Sequence, residues 1–137
     1  IDVVGDMNTE TYMKIIEELI QWSECDAIIH MGIIGRLILI KATLESTAAI
    51  DKKYDDKYMD LALRYVENFE KQTIERTVKL MEKYNKPIVG VYFLNDDKTQ
   101  TITNVNGCQY KGVNFITPER AVKALAKMYQ YSQWLNN

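Results

Sequence analysis

The chain predicts an α/β fold, an open parallel sheet with helices packed on its faces. Short apolar runs of strand length alternate with stretches of helical period, glycines close two of those runs, and a Thr-Pro-Glu helix start follows the last. A chain of 137 residues is long enough for one domain with a proper core and too short for two. Hydrophobic residues at 47% and charged residues at 26% belong to an ordinary globular protein and exclude disordered and fibrous classes.

The first run, Ile1-Asp2-Val3-Val4, reads as a strand already under way, with no initiator methionine or signal-peptide n-region before it. The expectation is a piece of a longer protein, whose terminal strand needs a partner to tie it down. Asn8 or Thr9 can cap a helix with apolar positions at Tyr12, Ile15, Ile16, Leu19 and Ile20, ending near Trp22 and Ser23. Ala27-Ile28-Ile29-His30-Met31 then predicts a strand buried on both faces, closed by Gly32. From Gly35 to about Ile50 the composition favours a second helix.

The polar residues 51–56 predict a solvated turn, and residues 51–58 resemble an insertion that lengthens the helical region. Ala62, Val66, Phe69, Thr73, Thr77, Leu80 and Tyr84 mark one face of a long helix stopped by Asn85-Lys86-Pro87. Residues 87–93, P-I-V-G-V-Y-F, form the clearest strand, and Val113-Asn114-Phe115 a shorter one. Between them, residues 99–107 are rich in β-formers and turn residues. Thr117 suits an N-cap and Pro118 the first helical position of a last helix with an apolar stripe at Ala121, Val122, Leu125, Met128 and Tyr129. Tyr129, Tyr131 and Trp134 at its end are expected to pack or to face another domain.

Seventeen basic against nineteen acidic residues give a net charge of −2, without the basic stripe that tracks a phosphodiester backbone, so no nucleic-acid partner is expected. The longest apolar stretch, residues 33–40, falls far below the roughly 20 residues that span a bilayer, so no membrane association is expected. Cys25 and Cys108 are too far apart for a C-x-x-C site and only one histidine could join them, which argues against structural zinc. Free buried thiols in a reducing cytoplasm are the expectation; one disulfide in a secreted protein is the alternative.

In such a sheet ligands are expected at the C-terminal ends of the strands, where the glycine loops fall. Gly5 follows the first strand, and Gly32 and Gly35 follow the second just before a helix. Glycines let backbone N–H groups approach an anion, and a helix start adds unpaired donors and a positive dipole end, so these loops suggest a phosphate site. The plainer reading is that they only permit tight turns. Arg36 can neutralise phosphate from the first helical turn or be simply solvated. Asp6 repels phosphate, and helix capping or metal contact compete to explain it.

The ordered series V-V-G-D-M-N-T-E-T-Y, D-A-I-I-H-M-G-I-I-G-R, K-P-I-V-G-V-Y-F and T-P-E-R-A-V-K-A-L resembles the CoA-ligase domain of nucleoside-diphosphate-forming acyl-CoA synthetases and of succinyl-CoA synthetase, over nearly the whole chain. The resemblance implies a three-layer α/β/α flavodoxin-like domain of a multidomain enzyme. That enzyme makes acyl-CoA from an acid, CoA and ATP or GTP with magnesium, through an acyl phosphate and a phosphohistidine. It implies that Gly32, Ile33, Ile34, Gly35 and Arg36 form the loop and helix start that cradle the phosphohistidine, with Gly5 and Asp6 in a second loop facing the same site. It implies no cofactor bound by this domain alone, no catalytic nucleophile within it, and companion CoA-binding, phosphohistidine-bearing and ATP-grasp domains.

Two departures bear on the structure. The family carries one more glycine-rich strand and helix before the segment matching Ile1; without them the sheet is expected to lack its central strand, and the chain to self-associate, by strand exchange, into a homo-oligomer. The family also has a helix where residues 99–107 favour strand and turn. His30 lies inside an apolar strand, where a satisfied core histidine is expected, and the resemblance places the phosphohistidine on another domain. A non-catalytic flavodoxin-like interaction or regulatory module is the alternative function. A phospho-receiver domain ranks below it, because His30-Met31-Gly32 occupies the place of its acids, and a flavin-binding flavodoxin lacks its Ser/Thr-rich phosphate loop here.

Overall fold

A computed structural model describes residues 2–3, 8–53, 56–96 and 99–136. In chain order the elements are α1 (Thr9–Gln21), β1 (Ile28–Met31), α2 (Arg36–Ile50), α3 (Asp56–Tyr84), β2 (Ile88–Val91), β3 (Ile102–Asn104), β4 (Lys111–Phe115) and α4 (Pro118–Leu135). The four strands make one open sheet in the order β1-β2-β4-β3; β1, β2 and β4 are parallel, and β3 joins the edge antiparallel to β4.

Register divides the strand residues between two faces. Ile28 lies beside Ile88, and with Tyr12, Met13, Ile16 and Ile20 of α1 and Met81 of α3 they form the larger core cluster. The alternate positions Val89 and Val91 pack with Ala121 and Leu125 of α4. Asn8 caps α1, its Oδ1 accepting from Thr11 N at 2.9 Å, and Lys86 Nζ closes the other end of that helix by donating to Ile20 O and Trp22 O. Thr117 caps α4 and Pro118 opens it, as the sequence predicts. Asn85, at φ 51°, ends α3 in the left-handed conformation that asparagine tolerates.

Several expectations are corrected. β1 is not buried on both faces: it is an edge strand of the described sheet, Ile29 is half-buried and Met31 is 57% exposed. Half of the first expected strand, Ile1 and Val4, lies outside the described residues, and Asp2 and Val3 are in neither strand nor helix. The α4 stripe is shorter than predicted, because only Ala121 and Leu125 reach the sheet while Val122, Met128 and Tyr129 stay exposed. Met13, Val78 and Met81 are buried although the periodic reading passed over them. Cys25 and Cys108 are free, as expected, but half-buried.

Residues 99–107 follow their own β-rich composition. They supply β3 and the turn into β4, with Gly107 at φ 78°. Glu82 on α3 holds this hairpin by accepting from Gln109 N and from Tyr110 N. No described helix is long and apolar enough to cross a membrane.

Candidate functional site

The loop between β1 and α2 sits at the C-terminal end of the sheet. Gly32 and Gly35 both adopt positive φ, 76° and 88°. At Gly35 the requirement is double, since a Cβ there would collide with Leu94 O and the backbone lies in the left-handed region. Between them Ile33 and Ile34 turn their side chains into the core, and Ile34 O accepts from Phe93 N at 2.7 Å. The loop is therefore clamped from below and cannot drift from the sheet.

Gly35 is the N-cap of α2 and has no side chain to bond the free amides of the first turn. Those amides are met by Glu70 of α3: its Oε1 accepts from Arg36 N at 2.8 Å and from Leu37 N at 3.3 Å. A carboxylate oxygen thus occupies the positive end of the helix. The Arg36 side chain folds back, Nε donating to Gly32 O at 2.5 Å, so the guanidinium braces its own loop. Tyr92 stands close by; burial raises its phenol pKa and the Glu70 charge adds to the rise.

A crevice of about 580 Å³ opens between this loop and the start of α4, lined by Gly32, Tyr92, Phe93, Thr117 and Glu119 among others. Two helix starts, those of α2 and α4, thus lie at one edge of the sheet, where a parallel sheet places its ligands. Among the described residues no group of three or more acids, histidines or cysteines could hold a metal ion.

Beneath the loop lies a buried polar cluster. His30 is 8% exposed and burial pushes its pKa down to about 4, so it is neutral at physiological pH. Its Nδ1 has no hydrogen-bond partner among the described residues, which corrects the expectation of a satisfied core histidine. The ring lies beside Gly90 and Asn114, where a Cβ on residue 90 would collide with Asn114 Oδ1 and crowd the imidazole. Tyr12 meets His30 edge to face, with centroids 6.2 Å apart, and its hydroxyl is also buried without a partner among the described residues.

Of the residues singled out from the sequence, Gly32, Ile33, Ile34, Gly35 and Arg36 come together in this loop, while Gly5 and Asp6 lie outside the described residues. Comparison with family models, with curated proteins and with solved structures gives no match. Sequence reasoning missed Glu70, the residue that touches the helix start. One signal could have found it: an acid on the apolar stripe of Val66, Phe69, Thr73 and Thr77 must find donors when the helix packs.

Proposed function

We propose that the chain is the flavodoxin-like domain of a nucleoside-diphosphate-forming acyl-CoA synthetase, in which the α2 start stabilises a phosphohistidine carried by another domain. The single observation that supports this reading is the carboxylate on Arg36 N and Leu37 N, two amides that hold an oxyanion at the place the resemblance assigns to phosphate. A carboxylate stands in there for phosphoryl oxygens. The incoming phosphoryl group displaces Glu70, and the amides and helix dipole stabilise its charge; Arg36 then leaves Gly32 O to face it, and the resemblance assigns Gly5 and Asp6 to a second loop of the same site. The domain contributes electrostatics, not a nucleophile or a proton.

In this reading the sheet is the three-layer flavodoxin-like one without its first strand and helix, and the enzyme is cytoplasmic. CoA, ATP or GTP and magnesium are held by the CoA-binding, phosphohistidine-bearing and ATP-grasp partners. A second reading, a non-catalytic interaction or regulatory module, is favoured by the same contact read differently: if Glu70 never leaves, the helix start is merely capped.

The test uses the natural enzyme with all its domains, incubated with γ-labelled ATP or GTP. Acid-labile, base-stable label that discharges when CoA and an acid are added, and that falls sharply in Gly35→Val, is the expected result. Absence of label with either nucleotide refutes the synthetase reading and leaves the interaction module.

A further inference from the structure

A cleft of about 870 Å³ lies between α1 and β1, along the edge of that strand that no described strand covers, and β2 contributes nothing to it. Its size falls within the range of small-molecule sites, roughly 300–1,000 Å³. Ile15, Leu19 and Ile29 give it apolar walls, and its charged lining residues, Asp2, Glu24 and Asp26, are all acidic.

Tyr12 and His30 also line it, and they differ from the other walls. They are 4% and 8% exposed, yet Tyr12 Oη and His30 Nδ1 have no hydrogen-bond partner among the described residues. Buried polar groups are paired in about nine cases or more out of ten, so the unpaired Tyr12 hydroxyl and His30 Nδ1 in a single cluster require an explanation. Packing does not supply it, because phenylalanine would fill the space of Tyr12 without the cost of an unpaired hydroxyl.

We propose that this cleft binds a small, uncharged, mainly apolar molecule ending in a group that both accepts and donates a hydrogen bond, such as a primary carboxamide. The apolar body lies against Ile15, Leu19 and Ile29. The end group accepts the Tyr12 hydroxyl proton on its oxygen and donates to His30 Nδ1, while the imidazole proton rests on Nε2, on the side of Gly90 and Asn114. An anion is disfavoured by the three carboxylates of the lining; the Arg36 guanidinium acts on the Tyr12 phenol from outside the lining, held on Gly32 O.

The probes are benzamide, which carries the end group, and toluene, which lacks it. Each is titrated into the ¹⁵N-labelled protein and into Tyr12→Phe while amide shifts of β1 and α1 are followed. Both probes are expected to saturate, benzamide with a dissociation constant on the order of 1 mM. Tyr12→Phe weakens benzamide about fivefold to tenfold and leaves toluene unchanged. The variant loses no partner, so its melting temperature does not fall. Absence of saturable shifts overturns the proposal, as does an equal effect of the substitution on both probes or no effect on either.

Discussion

Removing the Glu70 side chain isolates the free energy of the carboxylate on the α2 start. In Glu70→Ala, Arg36 N and Leu37 N lose their acceptor, and Gly35 offers none in its place. A lost N-cap costs about 1 kcal/mol, and the lost interaction between carboxylate and helix dipole adds up to about 1 more, giving about 1–2 kcal/mol. For a chain of this size that lowers the melting temperature by about 4–8 °C. Glu70→Gln keeps an acceptor and gives up the charge, so it should lose about half as much. The decisive arm is an anion titration. If the freed amides bind phosphate with a dissociation constant on the order of 5 mM, about 50 mM phosphate restores about 1.4 kcal/mol to Glu70→Ala. Chloride at equal ionic strength restores nothing, and the unsubstituted protein gains little because phosphate must first displace Glu70. An alanine variant as stable as the parent, or one that phosphate rescues no better than chloride, refutes the idea of an oxyanion seat.

Burial of neutral His30 makes stability sensitive to acid. The folded pKa of about 4 lies below the ordinary 6.5, so the unfolded chain binds the proton more readily. The stabilisation is complete above pH 6.5 and is lost as pH falls towards 4, by about 3 kcal/mol in all; urea midpoints across that range should fall more steeply for the parent than for His30→Leu. Gly90→Ala drives a methyl into Asn114 Oδ1 and the His30 ring, costing about 1–3 kcal/mol, and adding Asn114→Ala should recover part of the loss in the same unfolding assay.

The sequence was most legible where local chemistry decides the outcome. Thr117-Pro118 starts α4 because an N-cap hydroxyl and a proline at the first turn act within three residues, and residues 99–107 form β3 and a turn from their own β-rich composition. Where the outcome depends on distant partners it was less so. The apolar run of β1 looks like an inner strand, but only the sheet order places it at an edge. The α4 stripe was read too long because periodicity does not reveal where the sheet beneath a helix stops. α2, with apolar residues on all sides, carries no periodic signal, and none of its residues is buried. In the candidate site, the glycines of the loop announced themselves by their positions, whereas Glu70 is joined to them only by the tertiary packing of α3 against α2.

The pairing of Ile28 with Ile88 also sets the order in which the chain can assemble. Those two strands meet only after the whole of α2 and α3 has been looped between them, and closing so long a loop is slow unless something shortens it. α2 and α3 pack on each other with a short connection, so they can form early and bring the ends of β1 and β2 within reach. Substitutions that loosen this helical pair should therefore slow refolding more than they speed unfolding, and the bare sheet without it would be an aggregation-prone intermediate with two unprotected strand edges.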